Sequence, residues 1–181
     1  NGAESGSVYV FTRSGSVWTE RTKLTPADGA AGDIFGYGVA LDDGTAIIAS
    51  PQDDDNGTDS GSAYIFTGSG AIWTEGAKLT ASDGAQDDVF GYGSIDLMGD
   101  FALVGAQGDD DNGAESGSAY VFEHIGGGVW NEVTKLTTSD GVAGDTFGYD
   151  VALSANMALV SASYTDDNGN ESGSAYIFVR D

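Results

Sequence analysis

The stretch Asn1–Phe11, Asn-Gly-Ala-Glu-Ser-Gly-Ser-Val-Tyr-Val-Phe, decides the fold because it returns as Asn56–Phe66, Asn112–Phe122 and Asn168–Phe178, at spacings of 55, 56 and 56 residues. Self-similarity at such a period means stacked supersecondary units, and it outranks any local reading. Three other signatures keep step with it. Trp18, Trp73 and Trp130 each precede a Lys-Leu-Thr, at Lys23, Lys78 and Lys135; then come Asp-Gly at Asp28, Asp83 and Asp140, and Phe-Gly-Tyr at Phe35, Phe90 and Phe147. The extra residue of the third unit falls in Gly126–Gly128, where a turn absorbs it. The whole chain, 1–181, reads as one repeat array with a period of 55–57 residues.

Within a period the pattern gives four short strands. Phe35–Leu41 and Thr45–Ala49 are joined by Asp42-Asp43-Gly44, whose Asp-Gly supplies the positive φ of a tight hairpin. Ser62–Phe66 alternates small and large residues, which sets Ala63 and Ile65 on one face and Tyr64 and Phe66 on the other. Ile72–Leu79 is the fourth. With 29 Gly, mostly between strands, and 2 Pro, no helical period survives for more than a turn or two. The expected fold is all-β, a β-propeller-type array of four-stranded antiparallel blades.

The strand count exposes an incomplete set. Two strands precede Phe35 (Val8–Phe11 and Val17–Leu24), two full sets follow, and three strands close the chain (Phe147–Leu153, Met157–Ala162 and Ser174–Phe178). About three units do not close on their own, since propellers typically need four to eight blades. The reading therefore expects apolar faces and unpaired strand edges at both ends. Their partners would be further repeats of a longer chain, or other copies of the chain in a ring or a fibre. The chain opens inside a motif, so further sequence upstream is expected. Of the 3 Trp, 8 Tyr and 8 Phe, all but Phe101 and Tyr164 fall in recurring slots, which reads as blade-to-blade packing rather than ligand stacking. On that reading, replacing Trp73 by Ala costs roughly 3 to 5 kcal/mol.

Charge narrows the function classes. Six Lys and Arg stand against 29 Asp and Glu, for a net charge of −23, with one His and no Cys. Nucleic acid binding needs clustered cationic side chains, so it is excluded as a natural ligand, and anionic membranes are disfavoured for the same reason. No apolar run approaches the roughly 18 residues of a spanning helix, so no membrane insertion is expected. Without Cys there is neither a disulfide frame nor a thiolate metal site.

Phe-Gly, about a dozen residues, a Gly-Ala-Pro variant and then an aromatic strand resembles the FG-GAP repeat of integrin α-subunit propellers and of many bacterial surface proteins. The first half recurs as Phe35-Gly36, Phe90-Gly91 and Phe147-Gly148; the second is altered to Ala49-Ser50-Pro51, Gly105-Ala106-Gln107 and Ser161-Ala162-Ser163. The Asp-Asp-Asp-Asn-Gly loop before Ser-Gly-Ser-Ala-Tyr is closer to the bacterial branch, which implies an exported protein, extracellular or at the cell surface, commonly as a module of a larger one. One departure matters. Integrin-type units carry an Asp-x-Asp-x-Asp-Gly calcium loop between the two halves, and here that interval holds only Leu-Asp-Asp-Gly, Leu-Met-Gly-Asp or Leu-Ser-Ala-Asn. The family's calcium ligands do not carry over.

The chain's own acidic loops are the candidates for metal chemistry. Asp53, Asp55 and Asp59 could wrap hard oxygen ligands about one Ca²⁺; unit two repeats them as Asp109, Asp111 and Glu115, and unit three keeps Asp167 and Glu171 with Thr165 at the first position. The same composition also suits a solvated turn, where Asp, Asn and Gly cap their own amides. Calcium is favoured because three adjacent carboxylates repel one another unless a counter-ion intervenes. A second acidic loop, Asp28–Asp33, recurs as Asp83–Asp88 and Asp140–Asp145 and reads mainly as a turn. Enzymatic readings have little support. His124 occurs in one unit alone without a repeated partner, Gly36-Tyr-Gly38 lacks a third Gly and a following helix, and every carboxylate cluster comes in near-copies, unlike a single active site. Three function hypotheses stand side by side. The leading one is a non-catalytic extracellular or cell-surface binding and adhesion module, calcium-stabilised, with a protein or glycan ligand. The others are a subunit of a self-assembling secreted filament or surface layer, and a propeller appended to an exported enzyme.

Overall fold

The computed structural model describes residues 2–180, and these contain thirteen strands and no helix. A hairpin of β1 (Val8–Ser14) and β2 (Val17–Leu24) comes first. Two four-stranded sheets follow: β3 (Val39–Asp42), β4 (Thr45–Ser50), β5 (Ser62–Ser69) and β6 (Ile72–Leu79), then β7 (Ile95–Met98), β8 (Phe101–Ala106), β9 (Ser118–His124) and β10 (Trp130–Leu136). A three-stranded sheet of β11 (Phe147–Ser154), β12 (Met157–Ala162) and β13 (Ser174–Val179) ends the array. Every sheet is antiparallel in chain order. This is the expected all-β array of blade-like sheets, not closed on itself.

Each sheet is buried on both faces where it has neighbours on both sides. Tyr64 and Phe66 of β5 pack with Ala46 and Ile48 against Val8, Val10 and Leu24 of the first hairpin. Ala63 and Ile65 point the other way, into a cluster with Phe90, Val104, Tyr120 and Phe122 of the next sheet. The two-faced alternation of Ser62–Phe66 is thus a sandwich between blades, consistent with the period of two along a strand. The third interface repeats the scheme with Leu103, Phe147, Val160 and Tyr176. In each of the last three sheets the Phe of Phe-Gly meets the Tyr and Phe of the third strand edge-on, at 5.6 and 6.0 Å between ring centres. Such edge-to-face contacts suit the ring quadrupole.

The innermost strands differ from the expectation. β3 starts at Val39 rather than Phe35, because Ile34 (φ 55) and Gly36 (φ 96) hold left-handed backbone on either side of Phe35. Phe35 leaves the ladder, forms a single bridge to Gly6 and donates its amide to the Ser5 carbonyl at 3.1 Å. Phe90 and Phe147 likewise donate their amides to the Ser60 and Ser116 carbonyls, although Phe147 stays in β11 as the ladder partner of Ala162. Gly61 shows why Ser-Gly-Ser recurs: its φ is 81, and a Cβ there would run into the Phe90 backbone. The Asp43-Gly44 turn has positive φ at both residues (37 and 81), as its sequence requires.

Candidate functional site

A bulge in each outer ladder places the charged side chain of that strand. Trp73 and Lys78 are five residues apart on β6, a spacing that sends side chains to opposite faces of a regular strand. The register between β5 and β6 shifts between Tyr64 and Phe66, and this extra residue returns Lys78 to the face of Tyr64, its direct cross-strand partner. Tyr9 and Lys23, and Tyr120 and Lys135, pair in the same way. The ammonium groups lie 5.1 Å (Lys78) and 5.2 Å (Lys135) from the centres of the Tyr64 and Tyr120 rings.

At the end of the sheet this lysine meets the acidic loops. Lys78 Nζ stands 3.0, 2.9 and 2.6 Å from carboxylate oxygens of Asp28, Asp53 and Asp55. Lys135 Nζ stands 2.8, 2.8 and 2.6 Å from those of Asp83, Asp109 and Asp111. The Tyr64 hydroxyl lies 2.9 Å from both Asp28 and Asp53, and the Tyr120 hydroxyl 2.8 Å from both Asp83 and Asp109. Asp53 and Asp109 are buried and fold their loops by accepting the Asp55 and Asp111 amides. The repulsion among three carboxylates is therefore met by a counter-ion, and that counter-ion is the chain's own lysine. Asp83, Asp109 and Asp111 offer one oxygen each within 4.8 Å of one another, and a cation entering that group would share it with the Lys135 ammonium.

Titration reflects this arrangement. Burial works against the charge on both lysines, but hydrogen bonds to their carboxylates win and hold each ammonium above its ordinary value. Burial also pushes the Tyr64 and Tyr120 hydroxyls up, helped by the acids beside them. For Asp28 and Asp83 burial acts upward, yet the hydrogen bonds from lysine and tyrosine keep both carboxyls below the usual range. At neutral pH the group is a fixed, charge-paired staple. It ties the loop that leads into each blade to the last strand of that same blade.

The structure brings together only part of the expected ligand set. Asp53 and Asp55, and Asp109 and Asp111, converge as expected. Asp59, Glu115 and Glu171 do not: their amides are held by Asp54, Asp110 and Asp166 at 2.9, 2.8 and 2.8 Å, with left-handed φ of 54, 55 and 52. The Asp59 and Glu115 carbonyls accept the Val89 and Thr146 amides of the next blade, so this position is a link between blades. In the third loop Thr165 donates to Ser174 Oγ at 3.0 Å, Ser174 donates to Asp167 at 2.7 Å, and Asp140 lies 3.4 Å from the Tyr176 hydroxyl. Asp28 and Asp83 are the members that the sequence reading left outside the ligand set. Their signal was present in the lockstep recurrence of Asp-Gly, Ser-Gly-Ser-x-Tyr and Lys-Leu-Thr. Asp33, Asp88 and Asp145 close their own loops by accepting backbone amides at 2.6, 2.7 and 2.8 Å, the turn role expected of them. His124 stacks on Trp130 and faces Asp100 at 3.2 Å.

A second feature lies in the Phe-Gly-Tyr slots. The Phe is buried each time, but Tyr37 and Tyr149 are exposed, Tyr37 lies 4.5 Å from Tyr92, and Tyr149 meets Tyr164 at 6.3 Å. Hydrogen bonding to Tyr92, helped by burial, raises the Tyr37 hydroxyl above its ordinary value. Tyr149 and Tyr164 border a hollow of about 510 Å³ together with Glu115 and Glu171. The recurring tyrosine slot, expected to pack between blades, lies at the surface at Tyr37 and Tyr149.

Sheets joined face to face through a repeated aromatic layer, with a lysine staple at one end, define a blade-array repeat protein. The family model described as FG-GAP repeat matches residues 18–66, 73–122 and 130–178, and the chain belongs to that family. Each match opens on the Trp of an outer strand and closes on the Phe of a third strand, so the sequence repeat is offset by one strand from the blade. Comparison with the curated proteins finds no match.

Proposed function

We propose that the chain is a non-catalytic binding and adhesion module that works outside the cell or at its surface. The observation that carries this reading is the strip of exposed Tyr37, Tyr149 and Tyr164, with the half-buried Tyr92 against Tyr37. Tyrosine offers a large, rigid contact area with a polar tip at small entropic cost, which is why it is enriched at recognition surfaces. The strip stands on sheets locked by buried aromatics, so a protein or glycan partner would meet a preformed surface. FG-GAP membership supports an exported setting. A variant carrying Tyr37→Ser, Tyr92→Ser and Tyr149→Ser tests the reading. It should lose at least about tenfold in binding to intact cells or to immobilised glycan and matrix-protein panels, with little change in melting temperature. Equal binding by parent and variant would remove the reading.

Calcium enters the proposal as a competitor of lysine for the same oxygens. On this view chelator leaves the melting temperature of the parent nearly unchanged. In Lys78→Met, added Ca²⁺ restores stability by mass action. A parent that melts earlier in chelator would show instead that calcium binds alongside the lysines.

A further inference from the structure

The last two sheets differ where the loop after the second strand begins. In the β7–β10 sheet Gly108 lies against the loop that leads into that sheet, so closely that a Cβ there would run into the Asp87 carbonyl. The β11–β13 sheet has Tyr164 at this place, one of the two aromatic residues outside the recurring slots, and the hollow of about 510 Å³ lies beside it. Such a volume falls within the roughly 300–1,000 Å³ of small-molecule sites. A neighbouring sheet does not cover this position. Ala114 and Glu115, the counterparts of Asn170 and Glu171, are exposed although the β11–β13 sheet follows them.

The lining calls for a particular ligand. Tyr149 and Tyr164 meet at 6.3 Å with their planes 75° apart, so two aromatic walls form a corner. Glu115 and Glu171 add carboxylates, and no Lys or Arg borders the hollow, whereas the acids around Asp53 and Asp109 carry their own lysines. Gln107 and Thr146 also line it, and their Oε1 and Oγ1 atoms are buried without a hydrogen-bond partner. Both residues are partly exposed, so a change of rotamer brings either oxygen to a donor and removes the cost of an unpaired acceptor. We propose that the hollow binds an amino sugar with a free ammonium group, as a unit of a cationic glycan; this deepens the binding reading above and rests on it. The ammonium meets the carboxylates, the ring hydroxyls donate to Gln107 and Thr146, and the C–H face of the sugar lies on a tyrosine ring. A lysine side chain would meet the carboxylates and leave the corner and the two oxygens unfilled. The net charge of −23 draws a cationic glycan in and repels sugars that carry carboxylate or sulfate.

Titration calorimetry of the whole chain with a linear glucosamine tetramer tests this beside two other probes. The fully N-acetylated tetramer keeps the rings and loses the charge; a tetralysine peptide keeps the charge and loses the rings. The glucosamine tetramer should bind at least about tenfold more tightly than either. Tyr164→Gly, which installs the glycine of the β7–β10 sheet and leaves the net charge unchanged, should weaken that binding at least about tenfold with an unchanged melting temperature, and Glu115→Gln/Glu171→Gln should do the same. General attraction to an acidic surface would survive Tyr164→Gly, so equal binding by parent and that variant overturns the proposal. Tighter binding of tetralysine overturns it in favour of a basic protein partner, and tighter binding of the acetylated tetramer in favour of a neutral glycan. A parent that adheres to cells and ignores all three probes sinks the amino-sugar site and leaves the binding reading standing; a parent that binds neither cells nor probes removes both.

Discussion

Tyr9-Val-Phe11 and Tyr64-Ile-Phe66 are almost the same strand, and their surroundings separate them. Tyr64 is 1% exposed and Tyr9 48%, because a hairpin covers the face of the former while the latter faces solvent. The innermost strands agree. Leu41 is 69% exposed and its counterpart Leu97 only 6%, since β3 lies inside Leu97 and the two-stranded first hairpin leaves Leu41 uncovered. Identical local sequence fixes which face a residue points to. The neighbouring blade decides whether that face is core, as expected for a quasi-one-dimensional array in which stability is shared between units and interfaces.

The contrast yields a graded set of substitutions. Phe90→Ala, in the middle of the array and fully buried, should cost about 3–5 kcal/mol, while Phe11→Ala at the open face should cost less than about 1. Comparable losses measured by denaturant unfolding would break the distinction between interior and end. Lys78→Met strands the buried Asp53 beside two half-exposed partners, so about 2–4 kcal/mol is expected, below the full cost of breaking a buried pair because Asp28 and Asp55 remain solvated. Lys23→Met, with no carboxylate beside it, should stay within about 0.5 kcal/mol. Trp73 is only half-buried, which lowers the 3 to 5 kcal/mol expected from sequence to about 1–2 for Trp73→Ala, with Trp18→Ala smaller still.

The smallest effect is the pH dependence. Asp28 and Asp83 have carboxyls lowered in the folded state, so their contribution is complete above the ordinary carboxylate range and disappears as pH falls through the folded values. Asp88 opposes them. Burial raises its carboxyl, and protonation relieves that cost as pH falls. The raised lysines and tyrosines add an alkaline limit, complete below about pH 10 and lost above it. Melting temperature should thus fall below about pH 4 and above about pH 10, with a shallower acid limb in Lys78→Met. An acid limb unchanged by that substitution would detach the staple from the titration.

Most of the fold was legible because repetition fixes strand number, order and facing without knowledge of tertiary contacts. The strands β2, β6 and β12 coincide with their sequence readings, and the two-faced burial of Ser62–Phe66 follows from alternation alone. The site was legible in part. The clustering of Asp53 with Asp55 follows from local loop chemistry. Lys78 and Asp28 enter from 25 residues beyond and before Asp53, and a bulge that the spacing does not announce directs the lysine. Tyr37 and Phe35 share one motif, and only the left-handed backbone around Phe35 sends the phenylalanine inward and leaves the tyrosine at the surface.

Native-state hydrogen exchange, read strand by strand, tests the central claim most directly, since protection reports local opening free energy. Neighbour-dependent burial predicts that amides of β4, β5, β8 and β9 exchange slowest, by opening close to global unfolding, while those of β1, β2 and β13 exchange orders of magnitude faster. Equal protection of β1 and β5, whose sequences are nearly the same, would contradict it.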